Sequence, residues 1–181
     1  MLKQARSMLA LFRRDPKGVA AVEFALSGAI LVFGLLNTVN LGYYVYRRME
    51  VENAAQVGAQ AAWSTCYDPS TMLPATQNCP GLNKAITASI QSTSLGNAVS
   101  LASGFPVEGY YCVNSSNALQ SVGSLSNKPS DCSAAGRPNA SPGDYIQVGV
   151  TYNYLPLFPG ATVMSAWGIS SITMTSWMRL G

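Results

Sequence analysis

The chain has 181 residues, of which 48% are apolar and only 10% are charged, and its formal net charge is +3. This length is enough for one modest domain beside a membrane helix and excludes two independent folds of ordinary size. Residues 1–17 carry five basic residues against one aspartate, whereas the remaining 164 carry six basic and seven acidic residues. The net charge therefore gives no reason to expect a nucleic-acid partner, and the absence of histidine removes the usual catalytic triads.

The segment from Gly18 to Phe24 stands between this basic leader and a long apolar run. Glu23 is unexpected there, because an ionised Asp at the centre of a membrane helix costs about 2.5–3.5 kcal/mol and Glu is of the same kind. Cleavage between Gly18 and Val19 would create a new α-amino group one helical turn from Glu23. In a packed filament, this carboxylate would face the terminal ammonium of a neighbouring subunit, and each would neutralise the other. We therefore predict that Glu23 specifies assembly.

The apolar run from Phe24 to Tyr46 contains 23 residues without a charge. At about 1.5 Å per residue, a helix of this length crosses the roughly 30 Å hydrocarbon core of a bilayer. The basic leader before the run, against only Arg47 and Arg48 just after it, favours a cytoplasmic N-terminus. A secretory signal peptide is the alternative, since residues 59–61 read Ala-Gln-Ala, but the apolar region of such a peptide is normally about 7–15 residues long.

Asn37 and Asn40 interrupt the apolar run. Buried side-chain amides in membrane helices hydrogen-bond to neighbouring helices, so one interpretation is that these residues mark a side that faces another subunit. The other interpretation is that both lie close enough to the outer headgroups to stay hydrated.

The helix is expected to continue beyond the membrane as an amphipathic segment. Its polar residues recur every four positions, and small apolar residues share this period on another face. One helix from Val19 to about Trp63 would be roughly 66 Å long, although a separate amphipathic helix after a break fits the same pattern. The polar stripe consists of Arg48, Glu52, Gln56 and Gln60, and the apolar face consists of Val51, Ala54, Ala55, Gly58 and Ala62.

After residue 63 the composition changes to Pro, Ser, Thr, Asn and Gly, which is typical of an exported domain. Periodicity and turn residues predict an α+β fold class, in which the long N-terminal helix is followed by a small antiparallel sheet of three to five strands laid across its outer half. The predicted elements are a helix over 82–95, two short strands within 97–113, a long loop over 114–143, a strand over 146–154, a turn or short helix over 161–167, and a terminal strand over 172–178.

Four cysteines all fall on the predicted exported side, where an even count indicates disulfides. Of the three possible pairings we favour Cys66–Cys79 with Cys112–Cys132, because each bond would close one Pro-rich or Ser-rich loop. Such loops are worth about 3 kcal/mol apiece in the chain-entropy model. A zinc site is the alternative, but these cysteines have neither CxxC spacing nor an accompanying histidine.

Six carboxylates lie beyond the segment that contains Glu23, and two of them could form a glycosidase pair without being close in sequence. No local motif supports such a pair, and no glycine-rich phosphate loop is present. We therefore expect no catalytic activity, no cofactor and no metal. The six carboxylates are Glu50, Glu52, Asp68, Glu108, Asp131 and Asp144.

Residues 13–26, RRDPKGVAAVEFAL, resemble the class III signal sequence of type IV prepilins, which has a basic leader, Gly at the cleavage point and Glu as the fifth mature residue. Together with Leu41-Gly42-Tyr43 and NAAQVGA at residues 53–59, this string is similar to the TadE-like minor pilins of bacterial tight-adherence pili. The resemblance covers residues 13 to about 63, and the related TadF-like subunits share this layout.

The resemblance implies a minor pilin or pseudopilin that prepilin peptidase cuts between Gly18 and Val19, with Glu23 and Phe24 acting in assembly. Its partners would be the peptidase, other pilin and pilus-assembly subunits and the lipid bilayer, with no nucleic acid. It would span the bacterial inner membrane once, with a cytoplasmic N-terminus and a periplasmic C-terminal domain, before incorporation into an extracellular pilus. The alternative is an uncleaved single-span membrane protein with an extracytoplasmic binding domain.

The expected domain organisation follows from these segments. It comprises a basic prepilin leader at 1–18, the transmembrane and assembly half of the long helix at 19–46, the outer amphipathic half at 47–63, and an exported α+β domain at 64–181.

Overall fold

A computed structural model describes residues 16–68 and 70–181, so the predicted leader lies outside the described residues up to Asp15. The chain is α+β, as predicted. Helices and strands follow in the order α1 (Pro16–Thr65), α2 (Ala75–Asn78), α3 (Leu82–Gln91), β1 (Val99–Leu101), β2 (Val107–Val113), β3 (Leu119–Gly123), β4 (Gly143–Asn153), α4 (Val163–Ala166) and β5 (Ser171–Arg179).

The long helix α1 continues without a break through the boundary between the apolar run and the amphipathic segment. The expectation of one helix is therefore confirmed, and the alternative of two helices is wrong. The chain divides into two compact units, and α1 contributes to both. The first unit contains the described residues up to Tyr44 together with Pro156–Gly168, and the second contains Val45–Leu155 together with Ile169–Gly181.

In the second unit, β4 is the central strand of a five-stranded antiparallel sheet. On one side, β5 pairs along it from Tyr145↔Arg179 to Asn153↔Ser171. On the other side, β2 pairs with the first part of β4 and β1 with its last part, while β3 forms a hairpin with β2. β4 takes this place because Ile146, Val148 and Val150 alternate along it and are completely buried.

The core of this unit lies where α1, α3 and β4 meet. A Cβ atom on Gly58 would come within 2.8 Å of Ile90 Cγ2 and 3.2 Å of Val148 Cγ1, so glycine permits this close approach. The predicted apolar face of α1 is buried and the predicted polar stripe is exposed. The fully buried side chains of this face are Val51, Ala54, Ala55 and Ala62, Ala59 is buried beside them, and α3 adds Ile86 and Ile90.

The prediction of a long loop over 114–143 is wrong, because this stretch contains β3. The turn into β3 is built by Asn114, whose side-chain oxygen accepts hydrogen bonds from the N–H groups of Ser116 and Ala118 at 3.0 Å. Asn117 adopts φ +61, which asparagine tolerates better than most residues. Sequence periodicity missed β3 because it is short and none of its five residues is buried.

Two disulfides join Cys66 to Cys79 and Cys112 to Cys132, which are the pairings favoured from the sequence. The Cα atoms are 5.8 and 5.7 Å apart, respectively, within the usual range for a disulfide. Cys112, Cys132 and Ala135 form a small buried cluster with Val122 against it. All four cysteines of the chain are bonded in this way, so no thiolate is left to hold zinc.

Candidate functional site

The residues predicted to act in processing and assembly all lie near the beginning of α1. Gly18 is partly exposed, while Val19, Glu23 and Phe24 are exposed, Phe24 by 80% of its surface. Val19 and Glu23 are separated by four residues, so they lie on one face of the helix, one turn apart. The helix therefore brings the predicted new terminus and the predicted carboxylate to the same side.

No basic side chain among the described residues pairs with Glu23. The cleavage predicted between Gly18 and Val19 would place an α-ammonium one helical turn from this carboxylate. Gly18 is the third residue of α1, so the bond after it lies in the first turn of the helix.

The helix beyond Glu23 presents apolar side chains on all sides. An 18-residue window within Gly18–Thr65 has a mean hydropathy of 2.2 and no buried residue, and this helix is long and apolar enough to cross a membrane. Gly28 and Gly34 face open space, since a Cβ atom at either would meet nothing within 4 Å. A helix that is apolar all round requires a bilayer or other apolar helices around it.

Comparison with known proteins addresses the same stretch. The sequence model of the family described as TadE-like protein matches residues 18–60. The chain carries a TadE-like segment. The match confirms the resemblance over that range, while no curated protein and no solved structure matches the chain significantly.

The TadE-like segment also contains two polar side chains whose partners the sequence did not reveal. Asn40 is completely buried, and its side-chain oxygen accepts the N–H of Leu157 at 2.9 Å. The side-chain oxygen of Asn37 accepts the N–H of Val163 at the same distance. Both asparagines therefore bind a distant part of their own chain, which neither interpretation of them had anticipated. The sequence contains two amides three residues apart and an uncharged, Pro-containing stretch late in the chain, and these two features were the available signal.

The first charged residues after the apolar run are fixed by contacts within the second unit. Arg47 forms an ion pair with Glu50 at 2.7 Å, and its guanidinium lies 5.8 Å from the centroid of the Tyr152 ring. Ser94 donates a hydrogen bond to Glu50 at 2.6 Å. Partial burial raises the pKa of Glu50, but the hydrogen bonds from Ser94 and Arg47 outweigh it and lower the pKa below its ordinary value.

The structure brings two of the six outer carboxylates together in the sheet. Glu108 on β2 and Asp144 on β4 lie on the same face and are both buried. Glu108 accepts hydrogen bonds from the N–H groups of Ala75 and Thr76 at 2.6 and 2.7 Å, and so caps α2. Neither carboxylate oxygen of Asp144 accepts a hydrogen bond from an N–H or hydroxyl group, but the carboxyl group lies within hydrogen-bonding reach of Glu108.

Burial, followed by the charge of Glu108, raises the pKa of Asp144 to about 7, with Lys128 acting in the opposite direction. A surface cleft of about 430 Å³, lined by Thr76, Lys84 and Phe105 among others, contains none of the six carboxylates. The two carboxylates that meet are thus enclosed in the sheet and not presented to a ligand.

Proposed function

We propose that this protein is a minor pilin or pseudopilin of a tight-adherence pilus, processed by prepilin peptidase between Gly18 and Val19. The observation that carries the proposal is the TadE-like match, which begins at Gly18 and runs along the exposed apolar helix into its buried outer part. The role is structural and not catalytic, because the chemistry offered by the segment is charge pairing and apolar packing.

Processing is a hydrolysis of one peptide bond. Water adds to the carbonyl carbon of Gly18, the bond to the Val19 nitrogen breaks, and the products are a carboxylate on Gly18 and an ammonium on Val19. The absence of a side chain on Gly18 permits close approach to the scissile bond. Cleavage also removes all five basic residues that precede the membrane span.

Assembly then uses the two charges at the new terminus. The ammonium of one subunit neutralises Glu23 of a neighbour inside a core of packed apolar helices, and a subunit out of register leaves both charges buried and unpaired. Phe24 and the exposed residues that follow supply the apolar surface between helices. Before assembly, the same surface faces lipid in the bacterial inner membrane.

The orientation proposed is a cytoplasmic N-terminus and an exported C-terminal domain. Basic residues concentrate before the span, and the domain beyond it contains two disulfides, which form and persist in an oxidising compartment. The partners that follow from this proposal are prepilin peptidase, other subunits of the pilus and the lipid bilayer.

The proposal is tested by replacing Glu23 with alanine in cells that make the pilus. Membrane insertion is expected to be undiminished, because a charge leaves the span, and cleavage after Gly18 is expected to persist. Pilus assembly is expected to fail or fall sharply, as measured by the yield of sheared pili. The matched control is Glu52→Ala, which removes an exposed carboxylate farther along α1. Normal piliation by Glu23→Ala cells would contradict the pairing argument.

A further inference from the structure

The connection between β4 and β5 is unusually long. It covers residues 154–170, whereas the loops of β-hairpins usually contain about 2–5 residues. Its central part, Pro156–Gly168, here called the strap, belongs to the same compact unit as the apolar part of α1. Long connections of this kind are usually functional when they are ordered.

The strap is bound to α1 by polar amide side chains, which are unusual in an apolar helix. Asn40 accepts the N–H of Leu157 and donates to Thr162 Oγ1 at 3.3 Å, and Asn37 accepts the N–H of Val163. Two asparagines therefore hold both halves of the strap. The least exposed positions in this part of the helix are 36, 37, 40, 43 and 44, which form one face at the helical period.

The two asparagines that bind the strap lie in the outer part of the proposed membrane span. Asn37 and Asn40 follow Glu23 by about 21 and 26 Å along a helix axis, within the outer part of a hydrocarbon core roughly 30 Å thick. The strap bound to them is consequently at the level of the outer leaflet. This step rests on the membrane anchoring of the proposed function, but not on cleavage or assembly.

The surface chemistry of the strap is the reverse of that of an ordinary loop in water. The strap contains no charged residue, and its hydroxyl at Thr162 is buried toward Asn40. Apart from the buried Met164, its large apolar side chains are exposed. Those exposed are Leu157 at 48%, Phe158 at 36%, Val163 at 38% and Trp167 at 73% of their surface.

Several backbone N–H groups in the strap are hydrogen-bonded within the chain. Besides the two bound by asparagine, the N–H of Ala161 donates to Phe158 O at 3.3 Å, and that of Trp167 donates to Val163 O at 3.0 Å. Irregular backbone is tolerated at membrane depth only when its polar groups are bonded within the protein. A Pro-Gly turn at 159–160 adds a residue with no N–H, and Gly160 takes φ +81.

We propose that the strap is a second membrane contact, which inserts its exposed apolar side chains into the outer leaflet and places Trp167 at the headgroup boundary. Lipid is the occupant because this surface continues the exposed apolar surface of α1 in the same unit, and tryptophan is enriched at that boundary. Asn37 and Asn40 are positioning residues that hold the strap at this depth.

The experiment uses the full chain in phosphatidylcholine vesicles, with Trp167 as the sole tryptophan through Trp63→Phe and Trp177→Phe. Fluorescence is compared in vesicles with and without bromine on the upper acyl chains, and flotation of the vesicles measures anchoring. Bromine is expected to reduce the emission of Trp167 by roughly half, because an indole at the headgroup boundary lies within reach of the upper chains.

Adding Asn37→Ala and Asn40→Ala is expected to abolish most of the quenching and leave flotation unchanged. The matched control is Asn53→Ala, an exposed asparagine on the same helix.

The possible results distinguish a failure of the proposed strap contact from a failure of the membrane anchoring on which it rests. Flotation without quenching of Trp167 would overturn the outer-leaflet contact and leave the membrane anchoring intact. The same result is expected if the strap contacts another subunit in place of lipid. Full quenching that survives loss of both asparagines would overturn their positioning role. A chain that does not float would contradict the membrane anchoring, and the inference with it.

Discussion

Glu108 and Asp144 are neighbouring carboxyl groups in different surroundings. Glu108 accepts hydrogen bonds from two backbone N–H groups and from the hydroxyl of Thr76. Asp144 is buried and accepts no such hydrogen bond, and burial, followed by the charge of Glu108 and a hydrogen bond shared with it, raises the pKa of Asp144 to about 7. Tyr110 and Lys128 are the other titratable groups around them, and the two carboxylates raise the pKa of Tyr110 after burial does.

We predict that Asp144 makes the second compact unit less stable as pH rises from about 4 to 7. The folded state holds the proton up to a pKa of about 7, whereas the unfolded state releases it near 3.8, so the folded state binds more protons in this window. Asp144→Asn should match the wild type near pH 4 and exceed it by about 2–4 kcal/mol above pH 8. Chemical denaturation across this pH range measures the difference. Glu52→Gln is the control at an exposed carboxylate, and a pH-independent gap between Asp144→Asn and the wild type would contradict the account.

In the outer part of α1, the residues that face the core have small side chains. Alanines and Gly58 let the helix approach α3 and β4 closely enough to bury Ile86, Ile90 and Val148 completely. This face could be predicted from the sequence, because it repeats at the helical period. β3 could not, since its residues are exposed and its position depends on the turn at Asn114 and on pairing with β2.

Gly58→Val is predicted to destabilise the packing of α1. The first added carbon already falls 2.8 Å from Ile90 Cγ2, and overpacking of this kind costs about 1–3 kcal/mol. Gln56→Val places the same side chain on the exposed face of the same helix and should cost only a few tenths of a kcal/mol. Thermal unfolding of the detergent-extracted protein compares the two. Equal melting temperatures would show that the close approach at Gly58 is not required.

Each disulfide is predicted to be necessary for resistance to proteolysis. Replacing Cys66 and Cys79 by serine, or Cys112 and Cys132 by serine, should cost about 2–5 kcal/mol, because each bond closes a loop in a small domain. Limited proteolysis should cut the variants between residues 67 and 78 or between 113 and 131, respectively. Wild-type resistance in either variant, or free thiols in protein from the oxidising compartment, would contradict this role.

In the whole molecule, the sequence was sufficient to predict the long helix and the fold class, and it favoured the observed cysteine pairs among three possibilities. It was insufficient to predict the strap. Hydropathy and helical period are local properties, so residues 19–63 could be interpreted directly. The strap depends on hydrogen bonds from Asn37 to Val163 and from Asn40 to Leu157, across more than 100 residues of sequence. Nothing in the local pattern of either stretch specifies its partner.

We propose that the mature subunit begins at Val19, and N-terminal sequencing of the protein extracted from membranes tests this start most directly. The first residues are expected to be Val-Ala-Ala-Val-Glu, with Glu23 fifth, and the full-length form should accumulate in Gly18→Leu cells. Gly28→Leu, at a helix position that faces open space, should be cleaved normally. An intact leader in cells that make pili, or a first residue after the Ala-Gln-Ala at 59–61, would contradict it.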